Sequence, residues 1–356
     1  YHNVSIIDKD AVLDLAKKLE IDGVMSFACD PGVETAAYVA EKLGLPTHPY
    51  ASVEILQNKA KFRQFLTDNG FNVPKAKGYF DSQDAINDAY DFEWPVIIKP
   101  TDSAGSKGVT RVECVDKLQE AAEYAMSFSK TKSFIMEEFI EKQGCSSDSD
   151  SFSIDGKLVF CSFSDQRFDD AAANPYTPSA YSWPSTIPSE YQEELRGELQ
   201  RLFNLLGLKT SLFNIETRLG TNGKPYIMEV SPRGGGNRLS EVLKYACGVD
   251  LIENSVRAAV GDEIVGVVSD PAYNGAWAEV ILHSKSDGIY DKLEIQTEFE
   301  EKYVVEKQVW VKSGEEIHKF TGANFAIGTL ILKFKNEEEL EYYMDKIDEF
   351  VRVVVK

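Results

Sequence analysis

The segment Asn214-Ile215-Glu216, followed by Thr221-Asn222-Gly223 and then Ile227-Met228-Glu229-Val230-Ser231-Pro232-Arg233-Gly234-Gly235-Gly236-Asn237-Arg238, decides how this chain is read. Asn-Gly between two apolar stretches is a strong short-range hairpin signal. Two short strands joined by it can bring Glu216 and Glu229 onto one face, where hard oxygen ligands beside a phosphate suit Mg²⁺. The glycines then allow close backbone approach to an anion, flanked by the forked donors of Arg233 and Arg238. A solvated hairpin with charged edges is the competing reading. It is the weaker one, because a strand as apolar as Ile227–Val230 should not carry Glu229 without a cation to neutralise it.

Two upstream segments have matching chemistry. Val96-Ile97-Ile98-Lys99-Pro100 is strand-like and runs into Thr101-Asp102-Ser103-Ala104-Gly105-Ser106-Lys107-Gly108. Backbone N–H groups there, freed of side-chain bulk, can wrap a phosphate while Lys99 supplies charge. The spacing fits neither a P-loop nor a dinucleotide-binding fingerprint, and an ordinary hairpin loop remains an equal alternative for this loop alone. Phe134-Ile135-Met136-Glu137-Glu138-Phe139-Ile140 is apolar apart from its acidic pair. It can offer backbone groups to a base edge, with Phe139 and Ile140 walling the ring; an ordinary core strand is the alternative.

Composition narrows the classes. The 356 residues are 43% hydrophobic and 27% charged, which excludes disorder and allows two or three domains. With 38 Lys+Arg against 58 Asp+Glu the net charge is −20, which disfavours nucleic acid. The longest apolar runs, such as Phe325–Leu332, are strand-sized, so no membrane span is expected. The five scattered cysteines form no CxxC pair, and reduced thiols in the cytoplasm are expected. The opening Tyr1-His2-Asn3 shows no signal or transit peptide.

Along the chain, helix 11–19, strand Val24–Ala28 and helix Val33–Leu43 predict a parallel αβ unit whose first strand is missing or lies upstream of residue 1, so that a truncated N-terminal domain is expected. A helical segment follows over Ser52–Gly70. The alternation strand, Gly-rich loop, strand and helix covers 96–129, and strands are expected at Lys157–Phe163 and Tyr226–Val230 around helix Tyr191–Leu206. Beyond Gly261, β-branched runs at Ile264–Val268, Trp277–Leu282, Tyr303–Val311 and Ala326–Phe334 precede an acidic helix, Asn336–Phe350, and a final strand. The expected architecture is therefore mixed α/β and α+β.

In this order and spacing, Asn58-Lys59 with Phe62-Arg63, the Lys99-Pro100 strand and loop, Met136–Ile140, Asn214-Ile215-Glu216 and Glu229–Arg233 resemble the ATP-grasp superfamily. The resemblance points to its carboxylate–amine ligases, related to biotin carboxylase, the carbamoyl phosphate synthase large subunit, the purine-pathway ligases and the L-amino acid ligases. It implies a partial pre-ATP-grasp domain over 1–57, an ATP-grasp domain over 58–262 with a lid at about 73–133, and a C-terminal β-rich domain over 263–356. It further implies ATP with Mg²⁺, or Mn²⁺ in its place. Lys59, Lys99, Ser103, Gly105, Ser106 and Gly108 would hold the phosphates, and Glu137, Glu138, Phe139 and Ile140 the adenine. Ser146 would stand at the ribose, where the family commonly has Glu, with Glu141 or Asp148 as substitutes.

Glu216 and Glu229 would bind metal, joined by Ser231, where the family usually has Asn. Arg233, Lys99 and Arg218 would be catalytic, and Arg233, Gly234, Gly235, Asn237, Arg238 and Arg167 would meet the substrate. The implied reaction activates a carboxylate as an acyl phosphate for attack by an amine, giving an amide, ADP and phosphate. A bicarbonate-using carboxylase or carbamoyl-type ligase, and a nucleotide-binding regulatory protein without turnover, are the alternatives. The partners expected are a small carboxylate and an amine, with no nucleic acid, no membrane and a possible homodimer.

Overall fold

The computed structural model describes residues 1–269 and 271–356. Its four sheets are built from antiparallel strand pairs, and two of them face each other across the cleft where the motifs gather.

The first sheet runs Ala76–Tyr79, Phe134–Glu138, Val96–Pro100, Thr110–Val112. Val96, Ile98, Phe134 and Met136 alternate toward helices Ser82–Asn87 and Leu118–Phe128, forming a core with Phe92, Leu118 and Ala122. Because strand side chains alternate faces, Lys99 and Glu137 are left on the opposite, cleft side. The second sheet runs Pro225–Ser231, Ser211–Leu219, Ser147–Ile154, Lys157–Cys161. Helix Ser189–Leu206 covers one face, packing Leu195, Leu199, Leu202 and Phe203 on Phe213, Ile215, Ile227 and Val230. A register shift between Ile227 and Glu229 lets Ile227 and Val230 both face that helix while Glu229 turns to the cleft.

A five-stranded sheet has the order Val304–Val309, Gly328–Phe334, Ala276–Leu282, Pro178–Trp183, Asp165–Phe168, so it draws strands from both sides of residue 263. Tyr181, Trp183, Trp277 and Ile281 pack on helix Leu239–Cys247, and Val280, Leu330 and Leu332 pack on Phe299, Leu340 and Met344. A small sheet of Glu316–Ile317, Gly288–Ile295 and Val351–Val355 completes the C-terminal part.

The mixed α/β class stands, with local corrections. Val24–Ala28 is not a strand, and among the described residues the N-terminal segment has no second strand to pair with it. A lone extended run has no ladder to close. Its flanking helices, Lys9–Leu19 and Val33–Leu43, pack directly through Leu13, Ala16 and Val39 instead. Ile264–Val268 is irregular for the same reason. The segment 52–70 divides into helices Tyr50–Gln57 and Lys59–Asp68, because the Asn58 side chain accepts from Lys61 N at 3.0 Å and caps a new start. The acidic helix likewise divides into Glu337–Met344 and Ile347–Phe350. No described helix is long and apolar enough to cross a membrane, and the five cysteines are free.

Candidate active site

Lys59 opens its helix, a position where a cation opposes the helix dipole and is locally unfavourable. Its placement is explained by what it faces: Nζ lies 3.0 Å from Glu229 Oε2 and donates to the Ser103 carbonyl at 3.1 Å. Burial works against its charge, but Glu229 and Asp30 outweigh it and raise its pKa. Lys99 Nζ lies 2.9 Å from Glu137 Oε2, while Arg63 Nε lies 3.2 Å from Glu137 Oε1 and Arg63 Nη1 donates to the Met228 carbonyl at 2.9 Å. Arg63 thus ties the first sheet to the bulge of the second. Burial of Glu137 favours its neutral form, yet the two cations override this and hold its carboxyl down at about 2. Burial lowers the Lys99 pKa, with Glu137 pulling the other way.

The loop 101–108 is pinned at both ends of its span. Ser106 Oγ donates to the Tyr176 carbonyl at 3.1 Å, and the Asp102 carboxylate accepts from Thr131 N at 3.0 Å. Gly108 has φ +70°, and a Cβ there would lie 2.9 Å from Pro100 and 3.0 Å from Phe128, so only glycine fits.

On the second sheet, Asn214, Glu216 and Arg218 alternate on the cleft face. The register places Asp148 opposite Glu216 and Glu216 opposite Glu229, so three acidic side chains stand in line across three strands. Like charges directly opposite destabilise a sheet. The strain is visible at Asp148, where burial and Glu216 raise the carboxyl to about 7 despite the 2.7 Å bond from Asn214 Nδ2. Among the described residues no three His, Cys, Asp or Glu side chains close around one point. A cation here therefore needs other oxygens as well, which suits Mg²⁺, held through one or two carboxylates plus substrate phosphates and water.

Arg218 Nε donates to Ser146 Oγ at 3.1 Å and Nη1 to the Ile140 carbonyl at 3.2 Å, joining the second sheet to the 137–140 connector. Along that connector Glu137 faces Lys99, the Glu138 carboxylate accepts from Glu93 N, and the Glu138 and Phe139 N–H groups donate to Lys75 and Pro95 carbonyls. Arg111 lies over the Phe139 ring at 4.5 Å.

At the far end, Ser231 Oγ donates to Asp30 Oδ1 at 2.8 Å and accepts from Gln57 Nε2 at 3.1 Å. Arg233 turns to Asp30 too, with Nε–Oδ1 and Nη2–Oδ2 both 2.8 Å. The glycine turn is tightly held: a Cβ on Gly234 would lie 2.7 Å from the Phe27 ring, and Gly235 N donates to Asp150 Oδ1 at 2.8 Å. Arg238 ion-pairs with Glu241 and, at 2.8 Å, with Glu306.

Most of the expected residues thus converge. Arg167 does not: it bonds Ser182 at 3.0 Å and ion-pairs with Glu341 on the acidic helix. Adjacent strand residues face opposite ways, so its neighbour Gln166 is the one turned toward the cleft side. The structure adds Asp30, gives Arg63 a role as partner of Glu137, and places Asp148, a candidate for the ribose in the sequence, in line with Glu216. Arg63 had a signal in the Asn58–Arg63 motif and Asp148 in its place after the connector, while Asp30 sits in an ordinary-looking turn.

Two antiparallel sheets, one contributing a lysine and the other a carboxylate row to one cleft, with a pinned glycine loop between, give the chain an ATP-grasp fold. Residues 92–241 match the ATP-grasp domain family. The ATP-grasp enzyme fsqD of Aspergillus fumigatus is 23% identical over 275 residues, covering 68% of this chain and 47% of that protein. Among solved structures, an L-amino acid ligase from Bacillus licheniformis superposes with a TM-score of 0.82 at 22% identity, over 98% of this chain and 85% of that one. The biotin carboxylase domain of the Hydrogenobacter thermophilus 2-oxoglutarate carboxylase, solved with MgADP, ADP and bicarbonate, gives 0.73 at 17% identity, over 100% and 81%. The chain spans about half the length of the first curated relatives it matches.

Proposed function

We propose that this chain is an ATP-dependent carboxylate–amine ligase. A substrate carboxylate oxygen attacks the γ-phosphorus and ADP leaves; the amine nitrogen then attacks the acyl carbon of the resulting acyl phosphate, and phosphate leaves with loss of a proton from nitrogen. The observation that carries this reading is the line Asp148, Glu216, Glu229 facing Lys59 and Lys99. Three carboxyl groups abreast, one of them pushed up to about 7 by burial and by Glu216, make a row that a bound cation would relieve.

Mg²⁺ bound through Glu216 and Glu229 would neutralise the migrating phosphoryl group. Lys59 and Lys99, already oriented by Glu229 and Glu137, would bind phosphate oxygens, and loss of one such donor typically costs about 3 kcal/mol, on the order of a hundredfold in rate. The loop 101–108, anchored to Lys59 through the Ser103 carbonyl, would keep water from the acyl phosphate. Free thiols and an acidic surface support a cytoplasmic setting with small-molecule partners.

The test is ADP or phosphate release with MgATP against arrays of carboxylates and amines, beside Glu229→Ala. Turnover that needs both partners and disappears in the variant supports the ligase. A second reading, nucleotide binding without turnover, draws on the closure of Arg233 and Ser231 onto Asp30; MgATP binding with no release for any pair would favour it.

A further inference from the structure

Glu279 lies at the middle of strand Ala276–Leu282 and is fully buried, yet neither carboxylate oxygen has a hydrogen-bond partner and no ion pair reaches it among the described residues. Such a group is costly to keep unless something satisfies it. Its neighbourhood shows what that would be. The register sets Glu279 opposite Tyr181 and Tyr181 opposite Gln166, so the three share one face of the five-stranded sheet. That face packs toward helix Leu239–Cys247, which begins directly after the glycine turn 234–238.

Tyr181 Oη donates to Asp148 Oδ2 at 3.2 Å, which connects this row to the acidic line of the second sheet. Gln166 Oε1 is likewise buried without a partner. The uncommitted groups in the row are therefore acceptors: two carboxylate oxygens and an amide oxygen. Arg238, whose Nη1 is buried and unpartnered, acts on Glu279 from the turn but forms no ion pair with it.

We propose that Glu279, in the row it shares with Tyr181 and Gln166, receives the protonated amino group of a substrate whose reacting group lies at the Asp148–Glu216 line, and so selects amine-bearing substrates. An ammonium supplies three donors to a row whose unpartnered side chains, Glu279 once ionised and the Gln166 amide oxygen, can accept them. In the free protein, burial keeps the Glu279 carboxyl well above the usual carboxylate range, and the neighbouring Glu241, Asp148 and Asp150 add to this. An arriving cation would reverse that balance. The assignment deepens the ligase reading, but binding can be measured without turnover.

The experiment is calorimetry on the whole chain, saturated with a non-hydrolysable MgATP analogue, titrated with the standard α-amino acids and β-alanine and with their N-acetyl forms. At least one free amine should bind while its N-acetyl form does not, and Glu279→Gln should weaken that binding on the order of a hundredfold. The melting temperature supplies the second readout: Glu279→Gln and Glu279→Leu should both melt above the parent when unliganded, since an uncompensated buried acid has been removed. A purely structural Glu279 would give variants that melt lower. Equal binding of acetylated and free amines, no binding of either, or unchanged affinity in Glu279→Gln would each overturn the assignment. Amine binding by the parent with no ADP release for any carboxylate would instead sink the ligase reading and leave Glu279 as the receptor.

Discussion

Arg233 and Asp30, 203 residues apart, meet in a two-pronged ion pair with both N–O distances 2.8 Å, and Ser231 bonds the same carboxylate. The pair anchors the N-terminal segment to the end of the strand that carries Glu229. Burial alone would favour neutral Asp30, but Arg233 prevails and lowers its pKa. Removing one partner of a partly buried pair leaves the other under-compensated, so Asp30→Ala should cost about 2–3 kcal/mol. Chemical denaturation at neutral pH measures it; a loss under about 1 kcal/mol would mean the pair contributes little.

Glu137 predicts an acid limb. Its folded pKa is about 2 against 4.5 ordinarily, so its contribution is fully present above pH 4.5 and is lost as pH falls from there toward 2. Glu137→Gln should be less stable at neutral pH and should lose less than the parent over that window. Parallel slopes in thermal melts from pH 5 to 2.5 would contradict the assignment.

Asp148 predicts the opposite sign. Its folded pKa of about 7 lies above the ordinary 3.8, so the folded state holds a proton that the unfolded chain has released, and stability falls as pH rises from about 3.8 to 7. Asp148→Asn should raise the melting temperature at pH 8 and change it little near pH 3.5. Adding MgATP should narrow the difference at pH 8, because a bound cation relieves the same repulsion. Identical shifts at both pH values would rule out charge as the cause.

The glycine turn supplies a paired test. A Cβ on Gly235 would lie 2.6 Å from Leu239, 2.8 Å from Asn214 Nδ2 and 2.9 Å from Asp150 Oδ1, whereas one on Gly236 meets nothing within 4 Å. Gly235→Ala should cost about 1–3 kcal/mol and disturb ligand binding, while Gly236→Ala should stay within about 0.5 kcal/mol of the parent. Denaturant midpoints compare the two directly, and an equal response would show that the turn is looser than its contacts imply.

The hairpin 211–231 was legible because its signals are local. Period-two alternation and Asn222-Gly223 specify two strands and their turn, and Gly220 N donating to the Lys224 carbonyl at 2.9 Å closes it as expected. The strand Ser147–Ile154 was not legible. Four serines and two aspartates carry little apolar pattern, and it becomes a strand because it lies between Ser211–Leu219 and Lys157–Cys161. Val24–Ala28 is the converse, a strand-like run with no neighbour to make it one.

By itself the sequence determined which strands carry lysine, carboxylate and glycine, and that Glu216 and Glu229 lie on the two arms of one hairpin, since alternation and turn chemistry act over a few residues; the register shift that turns Glu229 to the face of Glu216 came with the fold. Only the tertiary structure decided which charges meet. It turned Glu137 inward to Arg63 and Lys99, set Asp148 beside Glu216, brought Asp30 to Arg233, turned Arg167 away and enclosed Glu279 without a partner. Those pairings join residues tens to hundreds of positions apart. They depend on which sheet faces are pressed together, and burial then sets whether each charge is neutralised, stabilised or left waiting for a ligand.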